Sequence, residues 1–273
     1  MSHRGKHNPP LHGRNVPGHN LAAGEEAEAA PHGFPSEHRA GLLPEMYFRW
    51  RAGEITRLEA FCDVVFGFAI TLLVVSLEVP RSYAELISAM RGFLPFAVCF
   101  AQLVMIWREH YRFSRRYGLE DPYTVFLNVV LLFLVLFYVY PLKFVFTLLF
   151  AQVSGAGPSL DMTLHEASVL MRIYAIGFTS VFLLFALMYI HAYRLRGAMG
   201  LGPVEVLETR NSIRQNAILT VVGALSFLVA FRHPEYSGWV FFLIAPLLTV
   251  NGAVYGKRVR QLAEATQGKQ ATG

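Results

Sequence analysis

The chain is poor in charge and poor in cysteine. Only 16% of its 273 residues are charged, while 54% are hydrophobic; soluble domains carry roughly 25% charged residues. The mean hydropathy is +0.39. A chain this apolar is most simply explained if lipid surrounds much of its surface, which disfavours a water-soluble enzyme. The two cysteines, Cys62 and Cys99, lie inside apolar runs, which excludes a disulfide framework and a cysteine-rich metal site.

The motifs of several functional classes are also missing. The sequence contains no T-V-G-Y-G filter, no G-x-x-x-x-G-K-[ST] loop, no H-E-x-x-H and no G-x-S-x-G. No apolar segment carries an arginine at every third position, which disfavours a voltage sensor. No two halves of the chain repeat clearly, which weakens a transporter built on internal repeats. We therefore predict a protein that is not an enzyme and needs no cofactor or metal.

Residues 1–45 differ in composition from the rest of the chain. They hold six prolines and six of the ten histidines, and they lack an apolar periodic run, so they cannot bury enough surface to offset chain entropy. The irregular histidine spacing favours a solvated polar tail over a metal site. We predict a disordered cytoplasmic arm over 1–45, a six-helix transmembrane domain over 46–256, and a short basic cytoplasmic tail over 257–273.

Six apolar segments follow the arm, and we predict that each crosses the membrane as a helix. A helix needs about 20 residues to cross about 30 Å of hydrocarbon, and backbone groups in lipid must be paired within the segment. The predicted fold class is therefore all-α, a polytopic membrane protein. The six spans are expected over 58–79, 84–107, 125–150, 168–193, 213–231 and 239–255.

Lysine and arginine are concentrated on alternate sides of these spans, and this pattern predicts the orientation. We therefore predict a multi-pass protein of the inner (plasma) membrane, with both termini in the cytoplasm. A basic rim facing anionic headgroups also explains the pI near 9.3 without a nucleic-acid partner. The basic residues on the predicted inner side include Arg57 before span 1; Arg108, Arg112, Arg115 and Arg116 between spans 2 and 3; Arg194, Arg196, Arg210 and Arg214 between spans 4 and 5; and Lys257, Arg258, Arg260 and Lys269 after span 6.

Span 1 carries a narrow stripe of side chains. At about 100° per residue, Val64, Phe68, Thr71 and Val75 lie on one line along the helix, and Asp63 lies about 100° away from it. The stripe is apolar except for one hydroxyl. Periodicity alone allows it either to pack against a partner helix or to line a narrow pore.

Polar side chains recur near the cytoplasmic ends of the spans. Asp63 lies in span 1, Trp107 and His110 share a face at the end of span 2, and Asn128 lies in span 3. A charge inside a span is costly, so it usually has a partner or a task. A single network shared between helices is a plausible use for these groups.

Residues 57–63, which read RLEAFCD, resemble a motif of the transmembrane protein 175 family. The prokaryotic branch of that family of potassium-permeable channels has R-x-x-x-F-S-D here, so that Arg57, Phe61 and Asp63 match and Cys62 replaces the serine. Trp107 and His110 resemble the family's W-x-x-H, and Asn128 resembles an asparagine of its third helix. Six helices with both termini inside also fit.

The resemblance implies a homotetramer in which helix 1 lines a central pore. Apolar rings and a threonine ring would form the constriction in place of a carbonyl filter, and potassium would be the favoured ion. The matching residues are Phe68, Thr71 and Val75, which lie on the stripe with Val64; the usual constriction residues of the family are Leu or Ile. The resemblance also implies a network that braces helix 1, formed by Arg57, Phe61, Cys62, Asp63, Trp107, His110 and Asn128.

Two other classes remain open at this point. In a proton-coupled secondary transporter, Asp63, Glu78 and His110 would titrate in turn, and an imposed proton gradient would drive uphill solute flux. A membrane enzyme or scaffold is the third class, but no known catalytic motif supports an enzyme. We expect a potassium-favouring cation leak channel.

Overall fold

The computed structural model describes residues 55–75, 81–83, 86–87, 90, 92–154 and 163–271. All regular structure within these ranges is helical, as the apolar segments predict. The predicted arm over 1–45 and the Glu78 carboxylate lie outside the described residues. The helices are α1 (Arg57–Val75), α2 (Phe93–Tyr117), α3 (Pro122–Ser154), α4 (Leu164–Arg194), α5 (Pro203–Ala230), the short α6 (Pro234–Ser237), a 3₁₀ segment (Gly238–Leu243) and α7 (Ile244–Ala271).

Five of these segments are long and apolar enough to cross a membrane. They are α1, α3, α4, α5 and the continuous stretch from α6 into α7. The second predicted span corresponds to α2, which has the length of a span but carries charged residues throughout its second half. Within the described part of the chain, the apolar pattern therefore supports five of the six predicted spans directly.

Several helices extend beyond the predicted spans. Helix α2 continues past Trp107 to Tyr117, where Gly118 ends it in a left-handed conformation with φ of 58° that suits glycine. The arginines assigned to the connection between spans 2 and 3 therefore lie on α2. Helix α5 begins at Pro203, so Arg210 and Arg214 also belong to a helix, and α7 continues to Ala271 through most of the predicted tail.

Small residues let α3, α4 and α5 approach closely. A Cβ atom on Gly177 of α4 would lie 2.3 Å from the Tyr138 ring of α3. One on Gly223 of α5 would lie 2.4 Å from the Thr179 hydroxyl of α4. Such contacts are typical of helix packing in lipid, where the hydrophobic effect supplies no drive for association. Helix α1 packs against α2 and α3 at the side of this bundle.

Candidate functional site

The two faces of α1 have different surroundings in the subunit. On one face, Cys62, Phe66, Ala69 and Leu73 are completely buried against α2 and α3. The opposite face holds the predicted stripe, and here Phe68 is 62% exposed and Val75 is 72% exposed. Val64 and Thr71 are exposed as well. No other described helix covers the stripe, so it is an apolar surface of the single subunit.

Thr71 is the hydroxyl-bearing residue of the stripe, and its side chain makes one local hydrogen bond. The Thr71 hydroxyl donates to the carbonyl oxygen of Gly67, one turn earlier, at 2.9 Å. This bond satisfies the hydroxyl hydrogen within the helix. The oxygen itself stays on the exposed face.

The side of α1 turned toward α2 carries the predicted acidic residue. The indole Nε1 of Trp107 donates to Asp63 Oδ1 at 2.8 Å, which ties α2 to α1. The acceptor is a carboxylate and the donor is neutral. A bond of this kind is strong because one partner is charged.

Asn128 of α3 joins three helices. Its Oδ1 lies 2.8 Å from His110 Nε2 and 4.0 Å from Cys62 Sγ, while its amide nitrogen donates to the carbonyl oxygen of Thr124 at 2.8 Å. Because Oδ1 can only accept, Nε2 of His110 carries the proton in this arrangement. The long sulfur contact fits a thiol, which is a weaker donor than the serine hydroxyl of the family motif.

The structure thus brings Cys62, Asp63, Trp107, His110 and Asn128 to one end of α1. Arg57 and Phe61 stand apart from them in the subunit, since both are exposed. No hydrogen bond or ion pair links Arg57 to another residue that the structure describes. Phe61 lies toward the outward face, next to the stripe.

A buried carboxylate at the start of α1 was not anticipated from the sequence. Glu59 is 3% exposed, and its Oε2 lies 4.0 Å from Nη1 of Arg115 on α2. The hydroxyl of Thr56 lies 3.1 Å from the Glu59 backbone nitrogen and accepts its hydrogen bond. This pair is possible only because α2 continues past its apolar part.

The charged half of α2 forms a second polar cluster with α4 and α5. Glu109 Oε1 accepts a hydrogen bond from the Tyr189 hydroxyl at 2.9 Å and another from Asn216 at 3.3 Å. Arg116 pairs with Glu208 at 3.1 Å, and both are buried. Glu109 and Arg116 are seven residues apart and thus share a helix face, a spacing that could have indicated this second interface.

Asp121 links the turn before α3 to α4. Its carboxylate accepts hydrogen bonds from the Thr124 hydroxyl at 2.7 Å and from the Thr124 backbone nitrogen at 3.2 Å, so it caps α3. It also lies 3.0 Å from His191 Nε2. Partial burial opposes ionisation of Asp121, but the bonds from Thr124 and His191 outweigh it and lower the pKa of this carboxyl.

Residues of the types that most often ligate metals are not clustered in the part of the chain that the structure describes. No group of three or more His, Cys, Asp or Glu residues among them is arranged to hold one. The polar groups described above are instead used to join helices.

Sequence comparison places the site in a known family. Residues 57–138, which run from the start of α1 to the middle of α3, match the family model described as endosomal/lysosomal potassium channel TMEM175. A protein of Marivirga tractuosa named potassium channel is 36% identical over 239 residues, which cover 82% of this chain and 96% of the relative. A potassium channel of Chamaesiphon minutus is 34% identical over 96 residues, or 32% of this chain and 47% of that relative.

Solved structures give the same result. The crystal structure of a variant of the potassium channel MtTMEM175, in complex with a nanobody–MBP fusion protein, has a TM-score of 0.69 at 36% identity and covers 80% of this chain and 99% of its own. A TMEM175 homolog from Chamaesiphon minutus has a TM-score of 0.52 at 24% identity, covers 71% of this chain and 96% of its own, and supports the fold alone. Because the Marivirga potassium channel is 36% identical to this chain and is covered over 96% of its length, and because residues 57–138 match the TMEM175 model, the chain belongs to the TMEM175 family.

Proposed function

We propose that the chain is one subunit of a potassium-favouring cation leak channel whose pore is lined by α1. The observation that carries this proposal is the exposed apolar stripe on α1, which lies opposite a fully buried face of the same helix. The names of the relatives as potassium channels support the choice of ion. We propose an inner-membrane location with both termini cytoplasmic, on the basis of the distribution of lysine and arginine.

Assembly follows from the geometry of one helix. A single α1 cannot enclose a pore, so several copies must surround an axis, and closed symmetry is usual for homo-oligomers. The family resemblance selects four copies. In this homotetramer the stripe would face the axis, which gives the exposed apolar surface of each subunit a function.

The stripe would form successive rings along the pore. Phe68 and Val75 would supply apolar constrictions, which hinder or block ions by dewetting. Thr71, between them, would supply a ring of oxygen atoms to a partly dehydrated cation. Val64 would continue the lining toward the cytoplasmic end. Selectivity would then arise without a backbone carbonyl filter.

The polar contacts at the start of α1 would hold that lining in place. The Asp63–Trp107 bond attaches α1 to α2, and the contacts of Asn128 with His110 and Cys62 attach α3 to both. Side chains whose rotamers are fixed by such bonds preserve a site to within about 0.5 Å. We propose that this network sets the position of the stripe and does not itself contact the ion.

Reversal potentials in proteoliposomes test the function. With potassium on one side and sodium on the other, the purified protein should shift the potential toward that of potassium, and protein-free vesicles should show no current. Absence of ion flux would contradict the proposal. Uphill solute movement driven by an imposed proton gradient would favour the proton-coupled transporter instead.

Native mass spectrometry in detergent tests the assembly. The protein should appear as a tetramer, because the proposed pore is enclosed by four copies of α1. A strictly monomeric protein that still conducts would contradict the proposed pore. The measurement is independent of ion selectivity, so the two tests can fail separately.

A further inference from the structure

The acidic residue that caps α3 faces a histidine on another helix. Both carboxylate oxygens of Asp121 approach His191 Nε2 of α4, Oδ1 at 3.1 Å and Oδ2 at 3.0 Å. The His191 side chain is 19% exposed and the Asp121 side chain is 32% exposed. Solvent therefore reaches the pair, which lies at the end of the bundle that the distribution of lysine and arginine predicts to face the cytoplasm.

Asp121 is also joined, through one residue, to the polar contacts at the start of α1. Its carboxylate accepts hydrogen bonds from the hydroxyl and the backbone nitrogen of Thr124. The Thr124 carbonyl oxygen accepts a bond from the Asn128 amide at 2.8 Å, and Asn128 Oδ1 bonds His110 of α2. Thr124 and Asn128 are buried. An unbroken series of contacts thus leads from the partly exposed His191 to the groups that join α1 to α3.

The charge of His191 can change near neutral pH. Histidine side chains commonly gain or lose their charge between about pH 5 and pH 8. A neutral imidazole donates one hydrogen bond from Nε2, whereas a protonated one also places a full positive charge opposite the Asp121 carboxylate. Although partial burial opposes ionisation, the bonds from Thr124 and His191 keep the pKa of Asp121 below its ordinary value. The carboxylate therefore stays ionised over this range, and the strength of the pair follows the charge of His191.

The other ionisable groups around His191 have different positions or partners. The Tyr123 ring centre lies 4.8 Å from the centre of the imidazole, as an aromatic contact from the first turn of α3. Arg194, one turn later on α4, and Glu120, next to Asp121, are both exposed. The charged residues of α2 and α5 at this end bond elsewhere: Glu109 with Tyr189, Arg112 with Glu109, Arg115 with Glu59, Arg116 with Glu208, and Arg210 with Tyr193.

We propose that Asp121 and His191 form a pH-dependent latch between α3 and α4, which holds Asn128 more firmly in its contacts with α1 and α2 when His191 is protonated. The role of the latch rests on the proposed function, since Asn128 helps to position the helix whose stripe would line the pore. Thr124 connects the latch to Asn128. A fall in cytoplasmic pH would then stabilise the position of α1.

Alkylation of Cys62 measures the latch without any ion flux. Cys62 is completely buried and contacts Asn128, so a maleimide reaches its thiol only when α1 and α3 separate locally. Because the chain has two cysteines, Cys99→Ala leaves Cys62 as the sole thiol and serves as the parent. Variants are compared at the same pH, so that the pH dependence of the thiol reaction itself cancels.

His191→Gln should remove the pH dependence of the latch. Glutamine keeps a neutral amide donor but cannot become charged. At about pH 8, Cys62 should react at nearly the same rate in the variant and the parent. At about pH 5.5, it should react roughly threefold faster in the variant, within the range expected for loss of a partly exposed ion pair. Equal rates at both pH values would overturn the proposal.

Two further variants test the assignment of the pair. Asp121→Asn keeps a good helix cap but loses the negative charge, so it should also abolish the extra protection of Cys62 at low pH, and combining it with His191→Gln should add nothing. His233→Gln removes a second histidine–carboxylate pair, formed with Glu235 at 3.3 Å between α5 and α6, and should react like the parent. Additive effects of the first two substitutions, or faster reaction in His233→Gln, would overturn the proposal.

Conduction tests the regulatory consequence separately. In proteoliposomes with the same potassium gradient, acidifying the cytoplasmic face should change the current of the parent more than that of His191→Gln. The same pH dependence in both proteins would overturn regulation by the latch. If neither protein conducts, the proposed channel function is contradicted, and the Cys62 rates alone decide whether the latch exists.

Discussion

The inward and outward faces of α1 are both apolar, yet they have opposite environments. Phe66 is 1% exposed and lies on the inward face, whereas Phe68, two residues later, is 62% exposed. The inward side also carries the polar contacts that join α1 to α2 and α3. The hydrophobicity of a membrane helix therefore does not show which of its faces packs against other helices. The contacts that each face makes within the subunit show it.

This contrast divides the expected effects of substitution into two kinds. Changes on the inward face alter the packing of α1 within the subunit, so they should be measured as stability. Changes on the outward face meet no described neighbour, so they should leave the subunit intact and alter conduction. Pairs of residues close together on α1 test the division directly.

The phenylalanine pair should show the largest effect. Phe66→Ala removes a buried ring that lies 5.6 Å from the His110 ring, and such truncations cost about 3–5 kcal/mol of folding free energy. Phe68→Ala should leave the melting temperature of the purified protein nearly unchanged and raise the current through the proteoliposomes. Equal destabilisation by both substitutions would abolish the distinction between the two faces.

Asp63 should show the next largest effect. Asp63→Ala leaves the half-buried Trp107 indole without an acceptor. A fully buried donor without a partner costs about 1–3 kcal/mol, so the loss here should lie near the lower end of that range. The loss stays below that for an unpaired buried charge because the partner is a neutral indole. Asp63→Asn keeps an acceptor oxygen and should restore most of the melting temperature. If Asp63→Ala melts and conducts like the parent, the carboxylate is only a surface charge.

Thr71→Val should change selectivity without changing stability. The substitution keeps the shape of the side chain and removes its oxygen, so the melting temperature should stay the same. The potassium/sodium permeability ratio should fall roughly fivefold if loss of the whole oxygen ring costs potassium about 1 kcal/mol more than sodium. An unchanged ratio and conductance, here and in Phe68→Ala, would mean that the stripe is a packing seam.

Gly67→Ala should give the smallest effect. It tests directly whether any helix packs against the outward face of α1 at this turn. A Cβ at Gly67 would meet nothing within 4 Å in the subunit, and replacing a helical glycine by alanine stabilises by roughly 0.5–1 kcal/mol. The melting temperature of the tetramer should therefore rise slightly. A fall would show that a helix from a neighbouring subunit packs against this turn.

The sequence predicted the helical segments well and their ends poorly. Hydropathy marks the part of a helix that lies in lipid, but a helix continues for as long as its backbone bonds are satisfied. Helix α2 thus runs on to Tyr117 through five charged residues that look like a connection: Arg108, Glu109, Arg112, Arg115 and Arg116. The start of α5 could have been found, because Pro203 and Glu205 after Gly202 are typical of a helix N-terminus.

The sequence likewise predicted some features of the candidate site and could not predict others. The stripe on α1 follows from helical periodicity, and the structure leaves all four of its residues exposed. The motif residues pointed to Asp63, Trp107, His110 and Asn128, but periodicity within one helix cannot show which of them touch. Contacts between distant segments, such as Glu59 with Arg115 or Arg116 with Glu208, depend on how helices pack. A local spacing can mark one polar face, as Glu109 and Arg116 do on α2, but it does not identify the partner on the other helix.

The hydrogen bond from Thr71 to the Gly67 carbonyl has a consequence for the sign of the permeant charge. Because the hydroxyl proton is already donated within the helix, the oxygen presents only lone pairs to the space in front of it. Four such oxygens around the proposed axis would form a ring of partial negative charge with no hydrogen to offer an anion. A threonine ring held in this rotamer would thus attract cations and repel chloride, although residues 67–75 of α1 include no acidic residue.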